Sequence, residues 1–296
     1  MKNILIIGAN GFTGRRILND LSVNPIYHVT GCSLRDDICP GKDYRFVRTD
    51  IRDENEVRKL FKECRPDIVI NTSALSVPDY CEIHHAEADA TNVTAVETIA
   101  HVCEQYGSRF IHLSTDFVFD GKSIRLYKEE DEAIPVNYYG VTKLKAEKII
   151  ASICSNYAIV RVVVVYGKAL PGQHGNILQL VANRLRNGET IRVVSDQWRT
   201  PTFVGDISVG VEKLMFHTAN GIYHICGSEC LTIAEIAYRV ADFLKLDRSL
   251  IEPVTTEEMK EATPRPRFSG LSIEKAKAEI GYTPRTLEEG MEASLF

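Results

Sequence analysis

The heptapeptide Gly8-Ala9-Asn10-Gly11-Phe12-Thr13-Gly14 stands directly behind the apolar run Asn3-Ile4-Leu5-Ile6-Ile7 and directly ahead of Arg15-Arg16-Ile17-Leu18-Asn19-Asp20-Leu21, a helical pattern. A strand, a glycine turn and a helix in that order leave few options for the chain. Glycines at the first, fourth and seventh places permit a tight turn, close approach of backbone to a pyrophosphate, and tight packing of the helix on the strand. The helix N-terminus adds unpaired N–H groups and positive potential, which suit an anion. The spacing predicts a dinucleotide site in which Gly8, Asn10, Gly11, Phe12 and Gly14 meet the phosphates.

The alternation continues beyond that turn. Strand signals at "HVTGCSL", "RFVRTD", "DIVINTS" and "RFIHLST" are separated by helical patterns at "NEVRKLFKE" and around residues 86 to 106. Such alternation means a parallel sheet covered by helices, an α/β chain of the Rossmann-type doubly wound kind. The run "YAIVRVVVVYG" suits a strand buried on both faces. Past Gly167 the pattern loosens into the loop "KALPGQHG", a helix near 176 to 187, the strands "TIRVVSD" and "GIYHIC", and two capping boxes, Thr232 with Glu235 and Thr286 with Glu289. We therefore place a dinucleotide-binding domain at 1–167 and a smaller, mainly substrate-binding domain at 168–296, with some of its segments returning to the first core. The formal charge of −5 and the absence of a polybasic block argue against a nucleic-acid surface. The short apolar N-terminal run reads as a strand rather than a leader or a membrane span, so a soluble cytoplasmic chain is expected, with a homodimer left open. Eight scattered cysteines without a C-x-x-C pair read as reduced thiols, and His84-His85 and His224-x-Cys226 complete no four-ligand set, so no metal is expected.

Where the second strand ends, a carboxylate would favour NAD and repel a 2′-phosphate. Here Cys32-Ser33-Leu34-Arg35 offers a hydroxyl and a guanidinium, which favours NADPH, with NADH as the alternative because Asp36 and Asp37 follow. Asp50 and Ile51 after the third strand are expected near the adenine, and Ser73, Ala74 and Leu75 after the fourth near the nicotinamide.

In Ile134-Pro135-Val136-Asn137-Tyr138-Tyr139-Gly140-Val141-Thr142-Lys143, only one of the two tyrosines can share a helical face with Lys143. Residues four apart do so and residues five apart do not, so Tyr139 is paired with Lys143 and Tyr138 is not. Asn137 is expected to cap that helix. Reduction of a ketone builds negative charge on its oxygen and needs a proton donor beside it. Tyr139 serves as donor; an ammonium at Lys143 would bring a phenol pKa of about 10 down towards neutrality. Thr115, at the end of the fifth strand, adds a hydroxyl for the same oxygen.

Together "GANGFTG", "STDFVFDG", "PVNYYGVTKLKAE", "RVVVVYG", "DQWRTPT", "RPRFSGLS" and "EIGYTPRTLEEGM" resemble the extended short-chain dehydrogenase/reductase family along nearly the whole chain, and within it the dTDP-4-dehydrorhamnose reductases. The resemblance implies that Thr115, Tyr139 and Lys143 are the catalytic set, with Tyr139 and Lys143 also touching the cofactor. It implies a nucleotide-sugar substrate contacted by Asp116, with Arg199 the candidate for its diphosphate and Arg265 and Arg267 weaker ones. Val164, Arg199 and Pro78 depart from the reductase pattern, and the chain is similar also to the regulatory subunit of methionine adenosyltransferase, a cofactor-fold binding partner. Related dehydratases resemble "STDE" where this chain has Phe117, which cannot transfer a proton.

Overall fold

The structure is a computed structural model that describes residues 1–41, 43–173 and 175–294. Seven parallel strands form its central sheet: β1 (Lys2–Ile7), β2 (Tyr27–Ser33), β3 (Arg45–Arg48), β4 (Ile68–Asn71), β5 (Arg109–Thr115), β6 (Tyr157–Val162) and β7 (Gly221–His224). Their spatial order is β7-β6-β5-β4-β1-β2-β3. The order reverses between β1 and β4, and the crevice at the carboxyl ends of those strands is where open sheets of this kind bind ligands. Side chains of β1, β4 and β5 alternate between two apolar layers. Ile4 and Ile6 face one, with Ile17, Leu18 and Leu21 of helix α1 (Phe12–Ser22); Leu5 and Ile7 face the other, with Val57, Leu60 and Phe61 of α2 (Glu54–Cys64) and Ile99 of α3 (Ala95–Tyr106). Each such side chain contributes about 1.5–3 kcal/mol by leaving water.

The helix expected around residues 86 to 106 is interrupted. A π-helical turn, Ala90–Thr94, separates a short helix from α3 and turns Asn92 inwards. There Asn92 accepts from the Leu75 N–H at 2.8 Å and donates to the Leu75 carbonyl and to Thr142 Oγ1, both at 3.0 Å. Asn137 caps α4 (Tyr138–Ile153) by accepting from the Gly140 N–H at 2.9 Å, as its place in the sequence predicts. The chain past Gly167 builds a third apolar cluster from α5 (Ile177–Arg186), α6 (Val204–Phe216), α7 (Ile233–Leu244) and the Ile191–Val194 strand, and it returns to the central sheet through β7. Both expected capping boxes form. His174, within the loop expected after Gly167, lies outside the described residues. Among the described residues no helix is long and apolar enough to cross a membrane.

Candidate active site

A cleft of about 640 Å³ opens at the carboxyl ends of β1, β4 and β5. The glycine turn forms one wall. Gly8 holds φ at +83°, and a side-chain carbon on Gly14 would lie 2.3 Å from the Gly8 carbonyl oxygen and 2.5 Å from Thr72 Oγ1. That contact presses the first turn of α1 onto the strand ends. No side chain caps this helix and no acidic residue sits in its first turn, so its N–H groups face the cleft with their positive potential intact. This cradle fits a diphosphate. Phe12 and Thr13 line it with the glycines.

Asn10 lines the same wall but spends its side chain on the loop after β2. Its amide donates to the carbonyls of Arg35 and Asp36 at 3.2 and 2.9 Å, and its oxygen accepts from Arg15 at 2.9 Å and from the Ile38 N–H at 3.2 Å. Asp37 is taken up by the buried Arg15 guanidinium and by Tyr44, whose hydroxyl donates to it at 2.8 Å. Burial alone would raise the Asp37 pKa, but the Cys39 N–H, Tyr44 and Arg15 outweigh it and hold the carboxyl below its usual value. Asp37 is therefore not free for a ribose. Ser33 and Leu34 line the cleft, whereas Arg35 is exposed at its rim and is not part of the lining.

Asp50, Ile51, Ser73, Ala74 and Leu75 all line the cleft. The Asp50 carboxylate is held by Arg52 at 2.6 Å, and that bond lowers its pKa. Arg52, Thr13 and Gln173 were not anticipated from the sequence. Gln173 donates to the Asn10 carbonyl at 2.9 Å from the loop after Gly167, a stretch without periodicity to announce it.

The catalytic candidates come together in part. Tyr139 lines the cleft, its ring edge-on to Phe117 with centroids 6.0 Å apart, whereas Thr115 is buried off that lining, its hydroxyl donating to Asp116 at 3.1 Å and accepting from the Phe117 N–H at 3.2 Å. Burial drives the Tyr139 pKa above the ordinary phenol value, Thr115 works to lower it and Asp116 to raise it. Tyr138 points elsewhere: it donates to Asp89 at 2.7 Å and stacks on His85 at 3.6 Å. Lys143 requires a correction. Its ammonium site does not meet the Tyr139 hydroxyl; Nζ lies 2.6 Å from the Leu113 carbonyl and 2.9 Å from His112 Nε2, against β5. The long, flexible lysine side chain follows these buried polar partners rather than its neighbour one turn back. Glu147, the other helical partner, is bound to Arg161 at 2.7 Å and to Ser114 at 2.5 Å.

The substrate candidates are corrected more strongly. Asp116 is 3% exposed and sits among Ser269, Thr115 and Arg199 rather than on the cleft lining. Its burial raises its pKa against the opposing pull of Arg199. Arg199 is itself buried, and it donates to the carbonyls of Trp198, Pro266 and Arg267 at 2.8, 2.8 and 3.3 Å and to Gln197 at 3.1 Å. With its donors so used, it pins the segment 266–269 beneath the site and cannot meet a diphosphate without breaking that anchor. Arg265 is half-buried, 3.0 Å from Glu261 and 3.8 Å from Asp79; Arg267 is paired with Glu257.

A glycine turn feeding an uncapped helix at the switch point of a parallel sheet, with a Tyr-Lys pair one turn apart on the helix facing it, defines a Rossmann-type protein of the short-chain dehydrogenase/reductase class. The chain belongs to the RmlD substrate binding domain family, whose model matches residues 1–295. It is 31% identical over 293 residues to the spore coat polysaccharide biosynthesis protein SpsK of Bacillus subtilis, covering 98% of this chain and 96% of that one. It is also 31% identical to the methionine adenosyltransferase 2 subunit beta of Xenopus laevis, over 96% of this chain and 84% of the relative. Among solved structures, dTDP-4-dehydrorhamnose reductase from Bacillus anthracis in complex with NADP superposes with a TM-score of 0.87 at 27% identity, covering 99% of each chain.

Proposed function

We propose that this protein is an NADPH-dependent reductase of the 4-keto group of a nucleotide-linked deoxysugar, with dTDP-4-dehydro-L-rhamnose as the first substrate to test and NADH as an alternative donor. The observation that carries the reading is the position of Tyr139, a half-buried tyrosine of α4 that lines the cleft at the carboxyl edge of β5. When bound, the nicotinamide supplies a hydride to the carbonyl carbon. Tyr139 donates a proton to the carbonyl oxygen, and Thr115 orients that oxygen by a hydrogen bond. A phenol kept protonated by burial is suited to donating. The uncapped amides of α1 hold the diphosphate of the dinucleotide, Lys143 reaches its ribose from the floor, and Ser33 with Arg35 receives the 2′-phosphate. The B. anthracis relative, a dTDP-4-dehydrorhamnose reductase bound to NADP, supports both substrate class and cofactor.

The relation to a methionine adenosyltransferase subunit favours a second reading, in which the chain binds the dinucleotide and a protein partner without turnover. The deciding experiment mixes purified protein with NADPH and dTDP-4-dehydro-L-rhamnose, follows nicotinamide absorbance and weighs the product. One equivalent of NADPH oxidised per sugar supports the reductase. Tight NADPH binding without oxidation on any 4-keto sugar supports the binding-subunit reading, and loss of water from dTDP-glucose without net oxidation would replace it with a dehydratase.

A further inference from the structure

Beneath the cleft floor a polar chain runs from β4 to α4. Asn71 Oδ1 accepts from the Ser73 backbone N–H at 3.0 Å and from Ser73 Oγ at 2.6 Å. These donors fix the amide, because the flipped form would set an NH2 group against the Ser73 N–H. The Asn71 NH2 therefore faces His112 Nδ1, 3.1 Å away, and Nδ1 must accept. A neutral imidazole that accepts at Nδ1 carries its proton at Nε2. Nε2 is 2.9 Å from Lys143 Nζ, which also donates to the Leu113 carbonyl. An ammonium has no lone pair to receive the Nε2 proton; an amine has one. An imidazolium is opposed at both nitrogens, by the Asn71 NH2 and by Lys143.

We propose that His112 is a positioning residue whose Nε2–H, its tautomer set by Asn71 and Ser73, holds Lys143 against β5 as an uncharged amine in the ligand-free protein at mildly alkaline pH, so that dinucleotide binding there, which draws Lys143 towards the ribose as an ammonium, takes up a proton from solvent. Burial isolates the chain: His112 and Asn71 are 0% exposed and Lys143 is 2% exposed. Burial brings Lys143 down to about 8, with Glu147 opposing, and burial together with Lys143 holds His112 well below its ordinary value. The other charged and titratable groups near the amine are neutral or engaged elsewhere, so none of them forms an ion pair with it. On α4, Tyr139 is a neutral phenol and Glu147 is paired with Arg161 of β6. Asp116, past the end of β5, is turned to Arg199 and Ser269. From the Pro78–Ile83 helix comes the Cys81 thiol, kept protonated by burial, and from the turns after it Asp89 is bound to Tyr138 and Glu87 to Tyr80.

The tautomer is a property of the free chain, and only the proton uptake rests on the dinucleotide reading, so two measurements separate their failures. Long-range ¹H–¹⁵N spectra of ligand-free, histidine-labelled protein, assigned with His112→Phe or by sequential methods, should show His112 protonated at Nε2 alone. Protonation at Nδ1 alone, or at both nitrogens, would overturn the proposal. Calorimetry of NADPH binding at about pH 8.5, between the Lys143 value and the ordinary lysine range, in buffers of different ionisation enthalpy should show uptake of about half a proton or more. Asn71→Asp accepts from Nδ1–H, reverses the tautomer and leaves Lys143 an ammonium, so it should bind NADPH without that uptake. Binding by the wild type with no proton exchange refutes the proposal even if Asn71→Asp fails to fold. No binding of NADPH at all refutes the cofactor reading instead, and the spectra still decide His112.

Discussion

Replacing Gly14 with Ala tests whether close contact at the glycine turn serves ligand binding or only the fold. Two effects oppose each other within α1. Alanine is the better helix former by about 1 kcal/mol. Against that, the new carbon would lie 2.3 Å from the Gly8 oxygen and 2.9 Å from its carbonyl carbon, backbone atoms that cannot rotate away. Relieving the clash means lifting the first turn of α1 by about an ångström, at an overpacking cost of roughly 1–3 kcal/mol. The net change in stability is then small, between about 0 and 2 kcal/mol, or a few degrees in Tm. Affinity should suffer more. The displaced turn carries the N–H groups that meet the diphosphate, and one charge-assisted hydrogen bond is worth about 1.5–3 kcal/mol, so Kd for NADPH should rise roughly 10- to 150-fold. Gly107 supplies the control: it has φ +67° but nothing within 4 Å of an added carbon, so Gly107→Ala should cost only the backbone strain of about 1 kcal/mol and leave Kd unchanged. The assay is calorimetric titration with NADPH beside thermal unfolding of each variant. Wild-type affinity in Gly14→Ala, or an equal loss in both variants, would refute the reasoning.

Tyr139→Phe should cut turnover on a 4-keto sugar by about 10²–10⁴ while NADPH still binds, whereas Tyr138→Phe, which loses only the bond to Asp89, should stay close to wild type in steady-state assays. Arg199→Met should destabilise the protein by about 3–5 kcal/mol in urea unfolding, because it strands the buried Asp116 and several carbonyls; a raised KM at unchanged stability would return Arg199 to the substrate. Asp37→Asn should cost about 2–4 kcal/mol at neutral pH, less than a fully sealed pair, since Arg15 keeps its bonds to Asn10 and the Cys39 carbonyl. The folded pKa of Asp37 lies below its unfolded value, so this stability is present above about pH 4 and disappears as the pH falls through the folded value. The gap between wild type and variant in unfolding free energy should therefore close on acidification below pH 4, and a gap that stays constant would contradict the assignment.

The parts of the site that lie on regular elements were legible in the sequence, because period and spacing place them. The Gly8–Gly14 turn, the Asn137 cap, Tyr139 and the strand-end residues from Ser33 to Leu75 are of this kind. Long side chains were not legible. Helical spacing brings the Cα atoms of Tyr139 and Lys143 to one face, but the Lys143 amine is drawn to β5 by the Leu113 carbonyl and His112, partners 30 and 31 residues away. Arg199 and Asp116 read as ligand groups because sequence shows their charge and not their burial. Their common partners in 266–269 are brought there only by the tertiary fold. The π-helical turn that aims Asn92 at Leu75 has no periodic signature, because one extra residue per turn looks like an ordinary long helix.

The reductase reading stands on transfer from the nicotinamide to the sugar, and isotopic labelling measures that transfer directly. NADPH carrying deuterium at C4 of the nicotinamide, prepared separately on each face, is mixed in a single turnover with the protein and dTDP-4-dehydro-L-rhamnose. The account predicts that one of the two preparations gives a sugar product one mass unit heavier, with the deuterium at C4 of the sugar, and that the other gives unlabelled product. Tight binding of both preparations with no deuterium in any sugar would contradict it.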